Sequence, residues 1–277
     1  MSNSHKIGKL YLTFVFLLMY APIFYMIFFA FNKGAYMTEF TGFSLVHFKD
    51  MFADLRLMSI LVNTFIVALL SSLIATLIGT FGALGIYQSR QPGVKNLLLS
   101  MNNVLMVSPD VIIGASFLIL FTMAGVALGF GSVLLAHIAF SIPIVVLMVL
   151  PRLKEMNPQL IDAARDLGAN WYQVLSKVVL PYAWPGVLSG FFMAITYSLD
   201  DFAVTFFVTG NGFSTLSVEI YSRARRGIDL SINALSALMF VLSLILVIIY
   251  YFISTRNTNA KRKRTTTLPV DGMGVAR

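Results

Sequence analysis

Apolar residues run along this chain in six long blocks separated by short polar stretches. A helix crossing the hydrocarbon layer requires about 20 mostly apolar residues. The pattern predicts spans over Leu10–Phe31, Ser59–Tyr87, Asn96–Leu128, Ser132–Leu150, Trp184–Val208 and Ile232–Ile253. The first follows His5, Lys6 and Lys9 as a signal peptide would, but it is too long for an h-region and no small-x-small site closes it, so it reads as a retained span. The third would be about 50 Å long as one helix and contains Ser108-Pro109-Asp110, so it is either one kinked span or two. Small residues Ser72, Ala75, Gly79, Gly82 and Gly85 line the second span at spacings that let backbones approach closely.

Charge selects between six spans and seven. With six, the inner side holds Lys6, Lys9, Arg90, Lys95, Arg152, Lys154, Arg165, Lys177, Arg256, Lys261, Arg262, Lys263, Arg264 and Arg277. The outer side keeps Lys33, Lys49, Arg56, Arg223, Arg225 and Arg226. That asymmetry fits the positive-inside rule with both termini in the cytoplasm. The expected organisation is a transmembrane unit over residues 1–255 and a basic cytoplasmic tail over 256–277, whose Lys261–Arg264 run suits anionic lipid.

The longest polar stretch, residues 152–181, has its own periodicity. Asn157 and Pro158 can start a helix with Leu160, Ala163, Ala164 and Leu167 on one face. Gly168 stands where a left-handed C-cap belongs. Asn170 can cap a second short helix carrying Trp171, Val174, Leu175 and Val178, which Leu180-Pro181 is expected to stop. Two short helices between spans have too little core to stand alone and must dock on something.

Composition narrows the classes. The chain is 58% hydrophobic and 12% charged, with mean hydropathy +0.83, which excludes an ordinary soluble enzyme or a disordered chain. There is no cysteine, hence no disulfide, thiolate metal site or cysteine nucleophile. A net charge of +8 would suggest nucleic acid in a soluble protein; here it is topological, and no nucleic-acid partner is expected. The three His (His5, His47, His137) make no metal-ligand pair, so no metal site or hydrolase chemistry is expected.

Asp162-Ala163-Ala164, three residues, Gly168, nine residues, then Val178-Val179-Leu180-Pro181 resembles the EAA loop of ABC importer permeases, with Asp for Glu and Val for Ile. Met106–Ile112, Ala163–Ala169, Ser198–Phe202 and Phe207–Gly210 resemble more narrowly the PotC-type permeases of spermidine/putrescine importers. The resemblance implies an all-α, six-helix integral membrane permease of the type I ABC importer fold, multi-pass in the cell membrane. It implies that Asp162, Ala163, Ala164, Gly168, Leu180 and Pro181 form coupling helices for a cytoplasmic ATPase dimer, beside a second permease subunit and an extracellular substrate-binding protein. No Gly-x-x-x-x-Gly-Lys-Ser/Thr motif occurs, so the chain is expected to be a non-catalytic subunit with no cofactor, ATP and Mg being held by the partner ATPase.

Acids inside the spans supply candidate chemistry. Asp110, Asp200 and Asp201 fall at similar expected depth, and intramembrane carboxylates face a partner or a watery path. On one helix Asp200 and Asp201 would point about 100° apart, leaving one on the path and one toward a neighbour. Asp110 can also be held by the dipole of a helix resuming after Pro109, and Tyr197 offers an aromatic face for an alkylammonium. Carboxylates concentrate cations and repel anions, which suits a polyamine, thiamine or a metal cation as cargo; a proton-coupled secondary transporter is the alternative class. The outer Arg223, Arg225 and Arg226 are candidates for contact with the binding protein.

Overall fold

The computed structural model describes residues 2–226 and 230–265, with side-chain surroundings for residues 6–226 and 230–252. The side chains of the expected tail, Lys261–Arg264 among them, and residues 266–277 lie outside them. In chain order the helices are α1 (Ser2–Ala30), α2 (Val46–Ala53), α3 (Leu55–Gln88), α4 (Pro92–Val107), α5 (Asp110–Met123), α6 (Phe130–Lys154), α7 (Gln159–Asp166), α8 (Trp171–Val174), α9 (Leu180–Asp200), α10 (Ala203–Val208), α11 (Leu216–Arg226) and α12 (Leu230–Thr265). Among the described residues there is no strand, only an isolated bridge between Asn32 and Phe43. Among the described residues, five helical stretches are long and apolar enough to cross a membrane, or six if the bent pair α4 and α5 counts as one.

Two expectations are corrected. The first is the depth of Asp110, because the third apolar block is sharply bent: Ser108 and Pro109 are extended and α5 leaves α4 at 106°. Proline disfavours the helical region for the residue before it, which ends α4 at Val107. Depths measured along one straight helix therefore do not apply to Asp110. Second, Leu180-Pro181 does not stop the chain. A π turn over Leu175–Val179 joins α8 to α9, and the Leu180 N–H donates to the Leu175 carbonyl five residues back. Proline would clash with a carbonyl four residues back in a regular helix; the wider turn accommodates it.

The chain divides into two compact units. The first comprises residues 1–66 and 211–243, with Ala30, Met51, Leu57, Ile60, Leu216, Ala234 and Leu235 buried together. Its loop after α1 closes on buried Asn32, whose amide donates to the Tyr36 and Glu39 carbonyls at 3.1 and 2.9 Å and accepts from the Thr41 N–H at 2.9 Å.

The second unit comprises residues 67–210 and 244–277. Its core gathers Ala83, Val145, Val149, Leu153, Val174, Val179 and Ala183 from α3, α6 and the α8–α9 run. The small-residue row on α3 is used in part. A Cβ on Gly79 would lie 2.7 Å from Val145 Cβ, so only glycine permits this approach of α3 to α6, whereas Gly82 and Gly85 are exposed.

Candidate functional site

The segment between α6 and α9 folds into two short capped helices. The Asn157 side chain accepts from the Gln159 N–H at 3.0 Å, starting α7. At its end the Ala169 N–H donates to the Ala164 carbonyl and the Gly168 N–H to the Arg165 carbonyl, at 3.0 and 2.8 Å. This is a Schellman cap, with Gly168 at φ +82°. Asn170 and Gln173 then cap α8 reciprocally, each side chain bonding the other's backbone at 2.9 Å.

Ile161, Ala164 and Ala169 pack inward, while Leu160, Leu167, Trp171 and Tyr172 are exposed, as are Asp162, Ala163 and Gly168. The expected apolar face of α7 is thus split, with Ile161 taking the inward place. A groove of about 300 Å³ beside these helices is lined by Tyr87, Gln88, Arg90, Ile161, Arg165 and Trp171, among others. Leu180 and Pro181 lie at the start of α9, beyond the two short helices.

The membrane acids separate by environment. Asp110 is the first residue of α5, where the helix dipole favours an anion. It is exposed and accepts a 2.8 Å hydrogen bond from the Tyr197 hydroxyl, which brings together two of the residues singled out in the sequence. Asp200 is exposed at the last position of α9.

Asp201 differs. It does not follow Asp200 on a helix: its backbone is extended, ending α9, and its side chain is buried. It accepts from the N–H groups of Val204 and Thr205, at 3.3 and 2.8 Å, and from the Thr205 hydroxyl at 2.7 Å. The expected 100° divergence is therefore replaced by a break between α9 and α10, with one acid out and one in.

Sequence reasoning missed the residue at the centre of this break. His137 on α6 is fully buried, its Nδ1 2.7 Å from Ser198 Oγ and its Nε2 2.8 Å from Thr205 Oγ1. Ser71 Oγ lies 3.3 Å from Ser198 Oγ. The available signal was a polar ring in a long apolar run, which has to be partnered there. Among the described residues no group of three His, Asp or Glu could hold a metal ion.

In the first unit, Arg223 donates to Glu219 and Asp54, both at 2.9 Å, and Arg56 pairs with Glu219 at 3.1 Å. Glu219 is buried. Partial burial by itself would raise the Asp54 carboxyl, but Arg223 and the backbone N–H groups of Leu57 and Arg56 hold it below its ordinary value. Arg223 is thus committed within the chain, whereas Arg225 and Arg226 are exposed at the end of α11. No sequence spacing pointed to the partners Asp54 and Arg56, which stand some 160 residues away.

Long apolar helices, a pair of capped helices between two of them and exposed acids on membrane helices define a helical membrane permease. The chain belongs to the family described as the binding-protein-dependent transport system inner membrane component, whose profile matches residues 75–263.

Relatives include the spermidine/putrescine transport system permease protein PotC of Haemophilus influenzae, 35% identical over 88% of this chain and 95% of that one. PotC of Escherichia coli is 35% identical over 91% and 97%. The putrescine transport system permease protein PotI of Escherichia coli is 32% identical over 84% and 85%. A chain of a bacterial ABC transporter involved in import of the acidic polysaccharide alginate superposes with TM-score 0.72 over 92% of this chain and 96% of that one. At 16% identity, that likeness shows the fold alone.

Proposed function

We propose that this chain is the permease subunit of an ATP-driven importer of polyamines, spermidine or putrescine, and forms part of the translocation path. The observation that carries this reading is the pairing of Asp110 with Tyr197, together with Asp200. These place exposed carboxylates and an aromatic ring on membrane helices of a chain similar to polyamine permeases. Carboxylates raise the local concentration of cations, and an aromatic face accepts an alkylammonium. Asp201 belongs to the scaffold behind them.

The remaining parts follow the same reading. The surface around Asp162, Ala163, Ala164 and Gly168, with exposed Leu160, Leu167 and Trp171, docks on a cytoplasmic ATPase dimer that holds ATP and Mg. Leu180 and Pro181 pass its movement directly into α9 through the π turn. A second permease subunit completes the path, both termini are cytoplasmic, and Arg225 and Arg226 meet the acidic rim of an extracellular binding protein. This chain holds no cofactor and performs no covalent chemistry.

The test is uptake into proteoliposomes containing the purified importer, with labelled spermidine and putrescine. ATP-dependent uptake that thiamine and divalent metals do not compete for supports the reading. Uptake driven by a proton gradient without ATP identifies a secondary transporter instead.

A further inference from the structure

The hydrogen-bond order around His137 is fixed by its neighbours. The Thr205 hydroxyl has one proton and donates it to Asp201 Oδ2, 2.7 Å away. Its oxygen must then accept from His137 Nε2 at 2.8 Å, so Nε2 carries a hydrogen. In the neutral ring Nδ1 is then an acceptor, filled by the Ser198 hydroxyl at 2.7 Å, while Ser71 Oγ lies 3.3 Å from Ser198 Oγ and 3.3 Å from the Ala68 carbonyl.

His137 Nε2 also lies 3.6 Å from Asp201 Oδ2, close enough for an ion pair but too far for a hydrogen bond. The Thr205 hydroxyl stands between them, and the carboxylate is met by two backbone N–H groups of α10 besides.

We infer that His137 is a positioning residue for the cation path, acting as a neutral donor–acceptor bridge and not as a charged partner of Asp201. Its two hydrogen bonds hold Ser198 directly and Asp201 through Thr205. Each of these is the chain neighbour of a group on the proposed path, Ser198 of half-buried Tyr197 and Asp201 of exposed Asp200. Tyr197 is further held edge-on against Phe140, with ring centres 5.0 Å apart, and Phe140 packs 4.8 Å from the His137 ring. The buried row thereby fixes the break between α9 and α10 and the outward aim of Tyr197 and Asp200. This rests on the cation-path reading for what those groups bind; the neutral bridge does not.

Replacement by glutamine separates the two roles, because an amide offers one donor and one acceptor at a similar spacing but never a charge. The experiment uses the assembled importer carrying His137→Gln or His137→Leu. It measures complex yield and thermal midpoint, and KM and maximal rate of ATP-driven spermidine uptake. His137→Gln is expected to match wild type in all four. His137→Leu is expected to raise KM about tenfold in the complex that still assembles, with the maximal rate per complex nearly unchanged.

Equal damage by Gln and Leu overturns the neutral bridge in favour of a charged one. Lower yield with unchanged KM in the Leu variant overturns the positioning role. If His137→Leu does not assemble, Thr205→Ser and Thr205→Val ask the same question. Serine keeps the bridging hydroxyl and is expected to keep KM; valine removes it and is expected to raise KM, and an unchanged KM overturns the proposal. A wild-type complex that carries no polyamine sinks the substrate reading instead. The bridge is then decided by yield and midpoint alone: Gln at wild-type values with Leu lowered upholds it, and equal loss overturns it.

Discussion

Gly168 allows a backbone effect to be measured without a packing effect. It has φ +82°, and a Cβ built on it would meet nothing within 4 Å. Gly168→Ala therefore adds no clash and costs only the left-handed strain, about 1–2 kcal/mol. The two cap hydrogen bonds, from Gly168 to Arg165 and from Ala169 to Ala164, exist only in that conformation, so relieving the strain swings α8 relative to α7. If both helices must present one surface to the ATPase, that cost appears as an affinity loss of about five- to thirtyfold.

Titrating detergent-purified permease against the ATPase measures this, with thermal midpoint as the control for folding. Gly168→Asn should fall between alanine and wild type, since asparagine tolerates the left-handed region better than other side chains. Wild-type affinity for the alanine variant would refute the reasoning. So would an asparagine variant weaker than the alanine one.

The other predictions follow from the same geometry. Asp200→Asn should lose most polyamine uptake while assembling normally, whereas Asp201→Asn should lower complex yield, because it weakens the buried acceptor for Val204 and Thr205; uptake and yield on the same preparations check both. Gly79→Ala should lower the thermal midpoint by an overpacking cost of about 1–3 kcal/mol, while Gly82→Ala, whose Cβ would meet Val146 at an ordinary 3.7 Å, should not. Glu219→Gln should weaken the first unit by leaving Arg56 and Arg223 short of a partner, seen as faster proteolysis of that unit. Because the folded Asp54 carboxyl sits below its ordinary value of 3.8, its contribution is present above that value and is lost as pH falls through the lower folded one; Arg223→Gln should flatten that acid limb of a midpoint-against-pH curve.

What the sequence disclosed tracks the range over which each interaction acts. The caps at Gly168 and Asn170 were legible because a Schellman motif and a capping box are written within a few residues. The spans were legible because the bilayer imposes a length on apolar runs. The break after Asp200 was not, since adjacent carboxylates near the end of an apolar run look alike until one finds the N–H groups of a following helix. His137 was visible as a letter but not as a hub, because its partners Ser198 and Thr205 stand more than sixty residues away. The bend at Ser108-Pro109 was signalled by the proline, but its 106° is set by packing: α5 lies on α10 with Gly114 against Val204 and Phe207. The pairing of Arg223 with Asp54 was hidden for the same reason of distance along the chain, although its other partner, Glu219, stands one helical turn away.

In the proposed mechanism exposed Asp110 and Asp200 carry a polyamine through this chain while buried Asp201 holds the frame. The most direct measurement is ATP-driven spermidine uptake into proteoliposomes by the complete importer with Asp110 and Asp200 both changed to Asn, alongside ATPase rate and complex yield. Uptake is expected to fall to background, with assembly retained and ATP still hydrolysed. Wild-type uptake by that double variant would contradict this mechanism.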